Sequence, residues 1–203
     1  MPQIEPTDGT VTQVARIYLV RHGEASEHWT DAADPGLSVL GHEQARIAAR
    51  KLAPLGPLAI ASSPLRRARE TAAPLETEWQ TAARIVQAVA EIPSPGIPRG
   101  ERSTWLTRLV QGSWRSADPG LHAWRGALLD FLIGCDVDVV VFSHYVAINA
   151  AVGAALGRDD FAPFQPANGS VTVMDNERGL RLIEQGVEGH HRPPTEPVQS
   201  RKA

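Results

Sequence analysis

The sequence predicts an α/β domain: a three-layer sandwich with a mostly parallel central sheet of about six strands, helices on both faces and a helical insertion over the C-terminal strand ends. Three observations carry this expectation. Short apolar runs alternate with segments of helical spacing along most of the chain. One of those runs, Val137-Asp138-Val139-Val140-Val141-Phe142, is rich in β-branched residues, as a central strand covered on both faces requires. The chain has 203 residues, of which 42% are hydrophobic and 21% charged, enough for one sizeable core and too little for two.

Each element has its own local reason. Ile17-Tyr18-Leu19-Val20 reads as a first buried strand. Ser38 then caps a helix whose Ala45, Ala48, Ala49 and Leu52 fall at helical spacing, ended by Pro54 and Gly56. Leu58-Ala59-Ile60-Ala61 is a second strand. Ser63 followed by Pro64 reads as a helix start, with Leu65, Ala68, Ala72 and Leu75 as the apolar stripe. Ile85 to Val89 is a third strand and the run ending at Phe142 a fourth. Ala147, Ala150, Ala151 and Ala154 form the inner face of the next helix, closed by Gly157. Ser170 to Met174 and Leu180 to Ile183 supply two last strands. The segment Ser94 to Phe131, with Trp105, Trp114 and Trp124, is read as the helical insertion, its tryptophans as packing residues. Residues 14–189 form the domain, residues 1–13 a flexible N-terminal segment and residues 190–203 a disordered, proline-rich tail.

Composition narrows the function. A net charge of -3 and a pI near 6.2 give no global attraction to nucleic acid or an anionic membrane. The stretch Met1 to Gln13 is polar, and no apolar run approaches the roughly 20 residues of a membrane span. Cys135 stands alone, so no internal disulfide or cysteine metal cluster forms, and the cytoplasm is the simplest compartment. Positive charge is almost wholly arginine, whose two-pronged, permanently charged head suits phosphate or carboxylate.

The informative residues stand where the strands end, which is where parallel sheets bind ligands. The first strand runs into Arg21-His22-Gly23-Glu24, the second into Ser62-Ser63-Pro64-Leu65-Arg66-Arg67-Ala68. The third ends at Glu91 and the fourth at Ser143-His144. Two histidines, one or two arginines and a carboxylate on one sheet edge suit phosphoryl transfer. Neutral imidazole is a competent nucleophile near pH 7. Fixed arginines and a second, protonated histidine can neutralise the phosphate oxygens, and a carboxylic acid can protonate the leaving alkoxide. Gly23 would let the backbone approach the phosphate. Spacing alone leaves Arg66 and Arg67 both within reach of Glu70, at i, i+4 and i, i+3.

These segments together resemble the histidine phosphatases, the superfamily that includes cofactor-dependent phosphoglycerate mutases. Arg21-His22-Gly23-Glu24 is similar to the nucleophile motif, and Asp34 to Ala45 to the segment after it. Ser63 to Ala72 is similar to a second signature, Phe142-Ser143-His144 to a third, and Asn168-Gly169-Ser170-Val171 to a late strand opening. The resemblance implies that His22 is the nucleophile, that Arg21, Arg67 and His144 bind the transferred phosphate, and that Glu91 is the proton donor. It implies no metal and no organic cofactor. The chain departs from the family pattern at Ala25 and His28, where threonine and asparagine are common, and at Tyr145, where glycine is common. His28 would replace the asparagine as a phosphate ligand. Ile92-Pro93-Ser94-Pro95-Gly96 is stiffer than the corresponding run of the mutases.

The leading expectation is a phosphomonoesterase acting on a small phosphorylated metabolite through phosphohistidine at His22. A phosphoglycerate mutase-type phosphotransferase and a non-catalytic phosphate- or phosphoprotein-binding module remain as alternatives. The expected partner is a small phosphate ester, with no nucleic acid and no membrane, and a homodimer stays open. Arg99, Arg102, Arg108 and Arg115 of the insertion would meet a second acidic group of the substrate or only solvent.

Overall fold

A computed structural model describes residues 14–27, 33–94 and 96–189, with Arg99 described by its backbone alone. The two flexible ends expected from the sequence, and His28, lie outside the described residues.

Six strands form one sheet in the order β3-β2-β4-β1-β5-β6: β1 (Arg16–Arg21), β2 (Ala59–Ser62), β3 (Arg84–Ile85), β4 (Val139–Ser143), β5 (Val171–Asp175) and β6 (Arg181–Glu184). β1, β2, β3 and β4 pair in parallel, whereas β5 pairs antiparallel with both β1 and β6. Five helices complete the described elements: α1 (Val39–Leu52), α2 (Arg66–Trp79), α3 (Arg102–Val110), α4 (Pro119–Ile133) and α5 (Tyr145–Ala155).

The two-residue period of the strands builds the three layers. Val20, Val140 and Phe142 face one way and meet Ala48, Ala49 and Leu52 of α1 with Ala68, Ala72 and Leu75 of α2. Ile17, Leu19, Val139 and Val141 face the other way, towards Leu128 and Leu132 of α4 and Val146, Ile148, Ala150 and Ala151 of α5. Both faces of β4 are covered, and all five of its residues are buried.

Three sequence expectations need correction. The third strand stops at Ile85, on the exposed edge, and a 3-10 turn over Gln87–Val89 replaces its second half. Edge strands are short because nothing lies beyond them to pair with. Here Val86 N–H makes a last bond to the Ser62 carbonyl at 2.8 Å before the chain turns inward. The second helix begins at Arg66, two residues later than the Ser63-Pro64 signal implied, and no side chain of its own caps it. The insertion is shorter than expected, because α4 is a full helix of the core layer rather than a cover. Asp118 accepts from Leu121 N–H and Pro119 takes the first turn, a start signal legible in the sequence.

Candidate active site

Strand register brings the site together. Arg21 lies opposite Ser143 and Ser62 opposite Phe142, so the first residues beyond β1, β2 and β4 are neighbours. Two further bonds extend the ladder past the strands: His22 N–H to the Ser143 carbonyl and Ser63 N–H to the Phe142 carbonyl, each 3.0 Å. His22 and His144 thereby face each other with ring centroids 5.1 Å apart.

The His22 ring has one orientation available to it. Its Nδ1 is 2.7 Å from the Gly23 carbonyl oxygen, which only accepts, so Nδ1 carries the proton. Nε2 is left with its lone pair and accepts from Arg67 Nε–H at 3.1 Å. Burial, then the charges of Arg67 and Arg21, hold this imidazole well below its usual pKa, so it is neutral at pH 7. Asn168 clamps the residue from behind, its side-chain N–H donating to the His22 carbonyl at 2.9 Å.

Gly23 stands where two backbone segments meet closely. A Cβ there would sit inside contact distance of the Gly41 carbonyl, and its N–H donates to Thr71 Oγ1 at 3.0 Å. Thr71 in turn donates to the Arg67 carbonyl at 2.6 Å. The glycine thus lets the start of α1 press against the loop after β1, and its amide is engaged by α2.

Arg66 and Arg67 of α2 point in different directions. Arg66 faces solvent and pairs with Glu70 at 2.6 Å, whereas Arg67 turns inward to His22. Arg21 donates from Nη1 to the Pro166 carbonyl at 2.7 Å and lies over the Tyr145 ring, 5.1 Å from its centroid. Its Nε has no hydrogen-bond partner among the described residues.

Glu91 is placed by a device that sequence reading did not find. α5 has no capping side chain of its own, and Glu91 serves instead, accepting from Val146 N–H at 3.2 Å. Ile92 N–H adds a bond of 2.9 Å. Ser143 Oγ holds the preceding turn by donating to the Val89 carbonyl at 2.8 Å. Burial raises the Glu91 carboxyl above the usual carboxylate range, against the pull of these N–H groups and of Arg67 and Arg21. The α2 N-terminus is treated alike: Arg66 N–H donates to Asp34 at 2.9 Å. The amides of Arg66 and Val146, at the starts of α2 and α5, are therefore both engaged by protein carboxylates.

His144 is wholly buried, with Nε2 2.7 Å from Ser63 Oγ and Nδ1 without a hydrogen-bond partner among the described residues. Burial, then the charges of Arg67, His22 and Arg21, push its pKa well down, which favours the neutral ring. The structure brings Arg21, His22, Arg67, Glu91 and His144 together. Ser63, Thr71, Asn168 and Asp34 were not found as site residues from the sequence, although each stood in a segment that carries the family resemblance. His42 and His122 are exposed. Arg115 pairs with Asp159 and Arg102 bonds to the Ile97 carbonyl. Among the described residues no group of three or more His, Cys, Asp or Glu is placed to hold a metal ion, and no helix is long and apolar enough to cross a membrane.

Known proteins resemble this chain in sequence and in fold. Residues 17–101, which include Arg21, His22, Arg67 and Glu91, match the histidine phosphatase superfamily (branch 1). A glucosyl-3-phosphoglycerate phosphatase of Mycolicibacterium vanbaalenii is 45% identical over 177 residues, covering 85% of this chain and 60% of the relative. The chain thus spans 60% of the length of that curated relative. The solved structure of a mycobacterial glucosyl-3-phosphoglycerate phosphatase superposes with a TM-score of 0.64 at 22% identity, covering 87% of this chain and 100% of the other. The protein TTHB049 of Thermus thermophilus does so with a TM-score of 0.55 at 25% identity, covering 85% and 99%. In sequence, over residues 17–101 and along the 45% identical relative, the chain is similar to the histidine phosphatase superfamily.

Proposed function

We propose that this chain is a phosphomonoesterase that hydrolyses a small phosphorylated metabolite through a phosphohistidine on His22 Nε2. The observation that carries the proposal is the His22 lone pair, fixed on Nε2 by the Nδ1–H bond to Gly23 and flanked by two buried arginines. The 45% identical relative is named as a phosphatase of a phosphoglycerate derivative, which supports a small phosphate ester as substrate class.

The chemistry follows from the contacts. In the ligand-free site Arg67 Nε–H occupies the lone pair. An arriving phosphoryl group supplies oxygens that compete for that N–H, which frees Nε2 while the arginine charge stays beside the phosphate. Nε2 forms a bond to phosphorus, the ester P–O bond breaks, and the leaving alkoxide takes the proton of the Glu91 carboxylic acid. Water then returns that proton to the Glu91 carboxylate as its hydroxide attacks phosphorus. The N–P bond breaks and inorganic phosphate leaves. Arg21 and Arg67 offset the charge on the phosphoryl oxygens throughout, so the reading needs no metal ion. It extends to a reaction in the cytoplasm.

The test is phosphate release from p-nitrophenyl phosphate with a chelator present. Wild type should turn over and His22→Ala should be inactive while melting at a similar temperature. Wild-type-like rates in the variant would remove His22 from the mechanism. Glu91→Gln should slow alkyl phosphates far more than p-nitrophenyl phosphate, whose leaving group needs little protonation. Equal slowing of both substrates would take the acid role from Glu91.

A further inference from the structure

Ser63 was expected to cap a helix, yet its hydroxyl stands wholly buried at 2.7 Å from His144 Nε2. It also accepts a bond from Leu65 N–H at 3.2 Å. A hydroxyl has one proton to give and two lone pairs to offer. With one lone pair engaged by Leu65, the question is which of Ser63 and His144 donates across the 2.7 Å contact.

Counting unpaired groups answers it. If His144 Nε2–H donated, the Ser63 proton would have no acceptor among the described residues, and the bare Nδ1, already without a partner, would stay unpaired too. If Ser63 donates, Nε2 is the bare nitrogen and a single group, Nδ1–H, is left over. Each unpaired buried polar group costs about 1–3 kcal/mol, so the second arrangement prevails in the ligand-free protein. The charged and titratable groups facing His144 are Arg21 and His22 at the end of β1 and Arg67 of α2, all of which oppose a charge on the ring. A bound phosphate dianion reverses that field.

We propose that Ser63 is a positioning residue that sets the tautomer of His144. Its hydroxyl donates to Nε2 in the ligand-free site, which keeps the ring proton on Nδ1 for a phosphoryl oxygen. When the dianion binds, the ring takes a second proton from solvent at Nε2, and the same hydroxyl rotates to accept it. Only a side chain that both donates and accepts supports the two states. The proposal rests on the phosphatase reading for its ligand but not for its test.

The experiment uses full-length protein labelled with 15N-histidine, with His144 assigned by the signals missing from His144→Gln. Nitrogen shifts of the ligand-free wild type and of Ser63→Thr should report the Nδ1–H tautomer. Ser63→Ala should revert to the Nε2–H form that isolated imidazole side chains favour. Calorimetry with inorganic phosphate, in buffers of different ionisation heat, should show proton uptake in wild type and in Ser63→Thr. In Ser63→Ala phosphate should bind about tenfold more weakly with less uptake. An Nε2–H tautomer in the wild type overturns the proposal even where Ser63→Ala fails to fold. So does a Ser63→Ala protein with unchanged tautomer and phosphate affinity. Loss of the phosphatase reading shows instead as absent turnover with these signatures intact.

Discussion

The ends of β1, β2 and β4 and the helix α3 sit in one domain under opposite constraints. At the strand ends, residues far apart in sequence hold one another: Asn168 the His22 carbonyl, Thr71 the Gly23 amide, Glu91 the first turn of α5. α3 buries no residue, and its Trp105, Leu106, Leu109 and Val110 lean half-buried on the core. The difference is physical. A phosphoryl site needs its charges and lone pair held to within a fraction of an ångström, and a sheet edge supplies that through backbone ladders. A segment resting on the core by one face is free to vary without disturbing the ladder. The histidines and arginines at the strand ends are thus built into the frame, whereas α3 only rests on it.

Neighbouring residues on α2 give the sharpest way to break this comparison. Arg67→Ala should lower kcat/KM for p-nitrophenyl phosphate by roughly 100- to 1000-fold, the scale of losing a charged donor in a desolvated site. Arg66→Ala, which removes only an exposed pair with Glu70, should stay within about threefold. Comparable losses would mean that the strand-end site is no more tightly built than its surroundings.

Two glycines test the same contrast in stability. Gly23→Ala drives a methyl into the Gly41 backbone and should cost about 3 kcal/mol in urea unfolding. Gly126 lies inside α4 with open space around its Cβ position, so Gly126→Ala should stabilise by about 0.5–1 kcal/mol. A neutral Gly23→Ala would show that the loop and α1 separate easily.

The smallest effect is one of pH. His22 and His144 are held below their ordinary values in the folded protein, so the unfolded chain binds more protons as pH falls. Their contribution to stability is complete above about pH 6.5 and is lost as pH drops towards the folded values, by at most about 1.4 kcal/mol per unit for each ring. His144→Gln should flatten this slope between about pH 7 and pH 5.5, the window around the unfolded histidine value. An unchanged slope would place the acid sensitivity elsewhere in the molecule.

Reading the sequence for strands found the site because its nucleophile, its second histidine and one arginine directly follow or end apolar runs, which locate themselves. Glu91 was expected at the end of a strand and reaches the site from a 3-10 turn instead, since the edge of the sheet gives Val86 its last partner. Ser63 was misassigned because a hydroxyl before proline is a good local cap, and its actual partner lies 81 residues away. Asp34 and Glu91 escaped notice as helix caps for the same reason, standing 32 and 55 residues from the amides they accept from.

By itself, then, the sequence determined the α/β class, the order of strands and helices, and which four chain segments meet at the candidate site, because hydrophobic period and strand-end motifs are local properties. The tertiary structure decided the tautomer of His22, the inward turn of Arg67 rather than Arg66, the carboxylates that cap α2 and α5, and the neutrality of both histidines. Those depend on burial and on contacts between distant residues, which exist only once the sheet has closed its register.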